Sequence, residues 1–179
     1  MSQAKNEEAR LAGFLAKYDA DISDLAETIR AEMRKLYPTA LELVYDNYNA
    51  LAIGYCPTER ASEAVFSIAI YPKWVSLFFL QAKRLTDPDK ILRGGGSTAR
   101  HIVLPSPDAL HHPAVRSLMR EAEALAKVPF DPKGAHRLII KSISEKQRPR
   151  RPVAEGAPSA TRSAKQAKVK SAPGGSRKS

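Results

Sequence analysis

The sequence of 179 residues lacks the features that mark several large classes of protein. It has one cysteine, Cys56, which excludes an intramolecular disulfide and cannot form a thiolate metal site by itself, so we expect a reducing cytoplasm. The longest strongly apolar run, residues 74–80, is far shorter than the ~20 residues of a membrane-spanning helix. The N-terminal stretch has neither the apolar region nor the cleavage site of a secretory signal. We therefore expect a soluble protein that has no membrane partner.

Recognised catalytic and nucleotide-binding motifs are also missing. No Ser/His/Asp order, nucleophile elbow or H-E-x-x-H is present. Gly94, Gly96 and Ala99 have G-x-G-x-x-A spacing, but a dinucleotide fingerprint follows a strand and opens a helix, whereas these glycines precede a predicted strand. No Gly-Lys-Ser/Thr follows them as in a P-loop. We assign no catalytic residue and no cofactor, and an enzyme of unknown reaction is a third alternative for the function.

Metal binding has candidate residues but no recognised ligand spacing. Asp21, Asp24 and Glu27 could form an acidic ridge that holds iron weakly, or they could complement the positive N-terminal end of a helix dipole. The histidines either have an incidental role or contribute single ligands, and they are His101, His111, His112 and His136. We assign no metal site.

The net charge of +10 arises at the C-terminal end. Residues 1–130 contain 16 Lys and Arg against 16 Asp and Glu, whereas residues 131–179 contain 13 against 3. From residue 146 onward almost nothing can be buried, which predicts disorder. Such a tail is expected to bind the phosphates of nucleic acid without regard to base sequence, because it has no aromatic residue that could stack on a base. The alternative is that the tail only solubilises the protein. The predicted nucleic-acid contacts are Lys146, Arg148, Arg150, Arg151, Arg162, Lys165, Lys168 and Lys170.

Apolar periodicity predicts an α+β domain. Helices are expected near residues 7–18, 21–37 and 113–126, and a further short helix is expected to begin at Thr86 or Asp87 and to end at the glycines. Strands are expected within 40–55 as a hairpin, and at 65–71, 74–80, 100–104 and 137–143. We predict an antiparallel sheet of five to six strands with helices packed on it, in a domain of residues 20–145. A helical extension, 1–19, precedes it, and a disordered basic tail, 146–179, follows.

The predicted strands raise the question of what covers each face of the sheet. The two strands joined by Pro72 and Lys73 are apolar on both sides, so we expect both faces to be covered. In the strand before them, Ala50, Ala52 and Gly54 leave one side almost bare. Either a packed helix or a ligand is expected to lie close to that side.

A candidate pocket is predicted where adjacent strands end, because a few polar groups there would converge on an apolar floor. The alternative is that these groups serve hairpin turns and aromatic core edges. The Arg100 guanidinium would either hold a carboxylate or phosphate or form a salt bridge to a neighbouring acid. The candidate residues are Tyr45, Asp46, Tyr48, Asn49, Tyr71, Trp74 and Arg100.

Four stretches together resemble a known family. They are LVYDNYNALAIGY, PTERASEAVFSIAIYPKWVSLFFL, DPDKILRGGGSTARHI and KSISEKQRPRRP. They resemble the DUF1801, or YdhG-like, family of bacterial proteins over about residues 20–150. The resemblance implies a small antiparallel α+β unit of largely uncharacterised function, some relatives of which have been likened by shape to iron chaperones. We expect a non-enzymatic binding or chaperone-like module with an unknown ligand, and the alternative is a nucleic-acid-associated accessory protein.

Overall fold

The computed structural model describes residues 3–96 and 98–152, which form an α+β fold. The helices are α1 (Gln3–Leu15), α2 (Ala20–Leu36) and α3 (Pro113–Ala124). The strands are β1 (Leu41–Asp46), β2 (Leu51–Cys56), β3 (Phe66–Ile70), β4 (Val75–Phe79), β5 (Arg100–Leu104) and β6 (Arg137–Ile143). The predicted fold class is confirmed. Within these residues, no helix combines the length and apolar character needed to cross a membrane.

The six strands form one sheet in the order β5-β4-β3-β2-β1-β6. The pairings among β1 to β5 are antiparallel, as predicted, but β6 lies parallel to β1, with Arg137 beside Leu41. The long connection through α3 permits this, because a chain that crosses over the sheet can enter it again in the same direction. The sheet is therefore mixed at one edge.

The helices cover only one face of the sheet, here called the helix face. On that face, buried strand residues such as Ile53, Ile68 and Leu77 share one core with Ile29 of α2 and Met119 of α3. The other face, here called the open face, has a separate small cluster in which no helix residue takes part: Leu41, Leu43, Cys56 and Ala64. Of the two alternatives for the bare side of β2, a packed α-helix was therefore wrong. On the open face of β3 and β4, Ala69 and Ser76 are buried, although no residue of α1, α2 or α3 belongs to the cluster there.

Helix α1 belongs to the main core, so it is more than an extension. Leu11 and Leu15 are buried in the core cluster. Immediately after α1, the Tyr18 hydroxyl donates to the carbonyl of Ile70 at 2.9 Å and accepts from the N–H of Leu51 at 3.0 Å. The predicted boundary between residues 19 and 20 therefore separates segments that pack and hydrogen-bond together.

The short helix predicted from Thr86 or Asp87 is not formed. Instead, the Asp87 carboxylate accepts hydrogen bonds from the N–H groups of Ile91 at 3.0 Å and Leu92 at 2.9 Å. An acidic side chain that bonds to nearby backbone groups competes with helix formation. Gly94 follows with φ +103°, a conformation that favours glycine, so it serves a loop and not a helix end.

Candidate functional site

The open face has small residues in its middle and larger ones on both sides. Two rows of cross-strand neighbours run over it. The row nearer the β3–β4 turn is Tyr45, Ala52, Ala69, Ser76 and Val103. The next row is Leu43, Gly54, Ser67, Phe78 and His101. The small members of both rows lie between these larger neighbours and are here called the trough, defined as Ala52, Gly54, Ser67, Ala69 and Ser76; Gly54, Ala69 and Ser76 are buried, and the other two are partly buried.

Aromatic rings stand around this trough. Phe78 and His101 stack with ring centroids 4.9 Å apart and an interplanar angle of 26°. At the β3–β4 turn, Tyr71 and Trp74 stack at 5.0 Å and 24°, and Trp74 is 42% exposed. Alternation along the hairpin places both on the open face, and Tyr45 lies across the trough. Trp74 is thus the exposed ring of this set, whereas Tyr45, Tyr71, Phe78 and His101 are partly buried.

The open face has no acidic strand residue. Both acids of β1, Glu42 and Asp46, alternate onto the helix face. Burial, together with the nearby Arg93 guanidinium, lowers the pKa of His101 below 6.5. The imidazole is therefore mainly neutral at pH 7, which suits a ring that stacks.

One end of the trough is closed. The short 3-10 helix Ala61–Glu63 leads to Ala64, and a Cβ added at Gly54 would lie 3.9 Å from the Ala64 Cβ. Cys56 is buried at this end, and burial raises the pKa of its thiol to about 12, so it is not a reactive nucleophile. The trough therefore opens toward the turn that bears Trp74.

The residues predicted to form one pocket are divided between two faces. Tyr45, Tyr71 and Trp74 lie on the open face, whereas Asp46 is buried on the helix face. The exposed residues Tyr48 and Asn49 occupy the β1–β2 turn. The strand ends do bring these residues to one end of the sheet, but they do not converge on a single site.

Arg100 lies apart from the other residues of the predicted pocket. It pairs with Phe79, the last residue of β4, whereas Trp74 precedes Val75, the first residue of that strand. Because β5 runs antiparallel to β4, Arg100 lies at the far end of the sheet from the two turns. Its place in the predicted pocket was wrong.

The C-terminal segment is docked further than predicted. Arg150 is 5% exposed, and its guanidinium donates to the Asp46 carboxylate at 2.7 Å and to the carbonyl of Asn47. Lys17 donates to the same carboxylate at 2.8 Å. Burial opposes ionisation, but hydrogen bonds from Lys17, Gln147 and Arg150 hold the pKa of Asp46 below its ordinary value of 3.8. The segment from Gln147 to Arg151 therefore belongs to the folded body.

This docking changes the set of cations predicted to contact nucleic acid. Arg150 is used inside the fold, so its assignment as a phosphate contact was wrong. Lys146, Arg148 and Arg151 are exposed, and the Arg148 guanidinium lies 5.6 Å from the centre of the Tyr48 ring. The other predicted contacts lie outside the described residues: Arg162, Lys165, Lys168 and Lys170.

A second buried charge cluster lies at the start of β1. Glu42 is fully buried and forms ion pairs with Arg30 at 2.6 Å and Arg34 at 2.8 Å, and Glu8 of α1 lies 2.9 Å from Arg30. Burial opposes ionisation, but His136, Arg30 and Arg34 hold the pKa of Glu42 at about 2. Arg30 and Arg34 also line a groove of about 530 Å³ between α1 and α2. Because both arginines already have acidic partners, this cluster joins α1, α2 and β1 and offers no free charge to a ligand.

The histidines do not converge. His101 stacks on Phe78, His111 lies 3.2 Å from Glu32, and His136 lies 3.2 Å from Glu42. In the part of the chain that the structure describes, no group of three or more His, Cys, Asp or Glu residues could hold a metal ion.

Sequence reasoning missed Phe78 and His101 as a stacked pair on an uncovered face. Alternation along β4 and β5 was the signal for their common face, but it did not show that the face lacks a helix.

Comparison with family models, curated proteins and solved structures yields no match for this chain. The YdhG-like assignment therefore stays a prediction.

Proposed function

We propose that the protein is a non-enzymatic binding module of the YdhG-like type that binds single-stranded nucleic acid on its open face, in the cytoplasm. The observation that carries this proposal is the set of aromatic rings around the trough, on the face that the helices leave uncovered. The basic C-terminal residues supply phosphate contacts.

Stacking favours a ligand with unpaired bases. An aromatic side chain that stacks on a base contributes about 1–3 kcal/mol of binding free energy, whatever the base. Trp74, which directly precedes β4, and Phe78 of β4 lie on the same side and four residues apart, which corresponds to a spacing of about 13 Å in an extended chain. Known RNA-binding sheets present aromatics in this way, with helices on the opposite face; the likeness is one of architecture.

Charge favours the same ligand. The described residues end at Pro152. Shortly before it, the N–H of Arg148 donates to the carbonyl of Tyr48 in the β1–β2 turn at 2.9 Å, and the Arg151 guanidinium donates to the carbonyls of Ala16 and Tyr18 between α1 and α2. Beyond Pro152 the sequence contains six Lys and Arg and one acid, Glu155. Cations attached at the turn end can neutralise phosphates of a strand whose bases lie on the open face.

A single strand suits the open face better than a duplex does. Bases within a duplex are stacked on each other and cannot stack on Trp74 or Phe78. The three helices pack on the opposite side, so none of them stands on the open face to enter a groove. The basic C-terminal residues alone would bind a duplex through its phosphates without regard to sequence.

Trp74 is the one tryptophan of the chain, so its fluorescence reports on the site directly. The test titrates the full chain with RNA and DNA single strands of about 20 nucleotides. We expect quenching of Trp74 by single strands, and much less by a duplex or by inorganic polyphosphate, which has charge but no bases. Binding of duplex and single strand with equal affinity and without quenching would overturn the proposal.

Variants separate stacking from charge. Trp74→Ala and Phe78→Ala should each weaken binding by about 5- to 100-fold in fluorescence anisotropy with a labelled strand. Ile143→Ala is the matched control, because Ile143 is apolar and 47% exposed at the β6 edge but lies outside the aromatic set. A chain that ends at Pro152 should bind more weakly and with a smaller salt dependence, while quenching of Trp74 persists at saturation. Unchanged affinity in both aromatic variants would contradict the proposal.

A further inference from the structure

Ser76 stands out on the open face because its hydroxyl is buried and unpaired. The residue is 0% exposed, and its Oγ has no hydrogen-bond partner among the described residues. Its cross-strand neighbours, Ala69 and Val103, have apolar side chains. A buried hydroxyl without a partner destabilises the fold, and alanine at this position would avoid that penalty.

The same face does allow a serine hydroxyl to find a partner. Ser67, one row away, donates to the carbonyl of Ile68 at 3.4 Å. The unpaired state of Ser76 is therefore specific to its position on β4. That position lies between Trp74, which directly precedes β4, and Phe78 of β4, and both are on this face.

We propose that the Ser76 hydroxyl is the polar contact that recognises a base stacked on this strand, and this inference rests on the proposed function. A hydroxyl both donates and accepts, so it can pair with the edge of a base. Ser76 is 0% exposed, so binding includes a rotation of a neighbouring side chain on the same face; Trp74, two residues earlier and 42% exposed, rotates onto the incoming base and stacks on it. Stacking then supplies affinity and Ser76 supplies selectivity among bases.

The selectivity follows from desolvation. A hydroxyl in an apolar surrounding favours a base that completes its hydrogen bond and disfavours a base that leaves it unpaired. Its neighbours in the same row are Ala52, Ala69 and Val103, which have no side-chain polar atom to substitute for it. The Ser76 hydroxyl thus distinguishes one base from another, whereas the aromatic rings stack on every base.

The test compares Ser76→Ala with the matched control Ser67→Ala. Labelled adenine, cytosine and uracil homopolymers of equal length are titrated by fluorescence anisotropy, and melting temperatures are measured for both variants. Ser76→Ala should weaken binding to the preferred homopolymer by about tenfold, leave the others within about twofold, and leave the melting temperature unchanged or raised. Ser67→Ala should keep the order of preference.

Three results would overturn this inference. The first is a wild-type chain that binds the three homopolymers equally, and the second is a preference that survives in Ser76→Ala. The third is a clearly lowered melting temperature in Ser76→Ala, which would show that the hydroxyl has a partner in the fold. In each case Trp74→Ala and Phe78→Ala would still weaken binding if the proposed function is right. Loss of that effect would count against the function itself.

Discussion

The two faces of the sheet are built from the same strands but differ in side-chain size, charge and cover. The helix face has large apolar residues under three helices, and its two buried carboxylates, Glu42 and Asp46, are both paired with cations. The open face has a floor of small residues, aromatic rings around it and an unpaired hydroxyl at Ser76. The difference indicates that the helix face provides most of the stability, and it is the reason why binding is proposed on the open face.

The largest expected difference between the faces is at two adjacent residues of β4. Leu77 is buried on the helix face and Phe78 is half-buried on the open face. Leu77→Ala should lower the free energy of unfolding by roughly 2–5 kcal/mol, because it leaves a cavity in the core. Phe78→Ala should cost only about 1 kcal/mol, since its ring is partly exposed and no α-helix packs on this face, so its removal leaves no enclosed cavity. Urea unfolding of both variants measures this, and equal losses would mean that the open face is covered.

The Asp46–Arg150 pair tests how far the helix-face core extends along the chain. Arg150→Ala should lower the free energy of unfolding by roughly 3 kcal/mol, because it removes a partner from a buried carboxylate. A chain that ends at Ser144 should lose about as much, whereas one that ends at Pro152 should keep full stability. Arg148→Ala is the control, and a change within about 0.5 kcal/mol is expected for this exposed residue. Equal melting temperatures for the two truncated chains would contradict the docking.

Acid should weaken the helix face through Glu42. Its pKa is lowered from 4.5 to about 2 in the folded chain, so its stabilising contribution is complete above about pH 4.5 and is lost as the pH falls toward 2. The expected loss is roughly 2–3 kcal/mol, and Glu42→Gln should flatten this part of the curve of unfolding free energy against pH. Unfolding of wild type and variant at several pH values between about 7 and 2.5 measures it. Parallel curves for wild type and Glu42→Gln would mean that other acidic groups cause the loss of stability in acid.

The smallest effect is expected in the floor of the trough. A Cβ at Gly54 would lie 3.6 Å from the Leu43 carbonyl oxygen and 3.7 Å from the Cys56 Sγ, which are ordinary contacts. Gly54→Ala should therefore stabilise the protein by about 0.5 kcal/mol, because it restricts the unfolded chain. Gly94→Ala is the contrasting variant, since φ +103° strains any residue with a Cβ, and it should lower stability by about 1 kcal/mol. Thermal unfolding shows whether each variant is stabilised or destabilised. A destabilised Gly54→Ala would indicate that the trough is covered more tightly than these distances allow.

Local patterns in the sequence determined most of the elements. The strand Arg137–Ile143 and the helix that begins at Pro113 were predicted at the positions where the structure has them. Alternation, helical periodicity and the fixed φ of proline act between near neighbours, so they can be read without knowledge of the fold. The turn at Asp87 escaped prediction, because the choice between a helix and side-chain bonds to the backbone depends on small energy differences.

The tertiary structure alone decided which face the helices cover, that β6 runs parallel to β1, and where charged side chains have partners. The residues around Arg150 have the composition of a disordered tail. Arg150 is nevertheless buried, because its guanidinium pairs with the buried carboxylate of Asp46, 104 residues earlier. Phe78 and His101 meet because the register of β4 and β5 places them opposite each other. The sequence determined the period of each strand. Contacts between distant residues then decided which side of each strand packs against the helices.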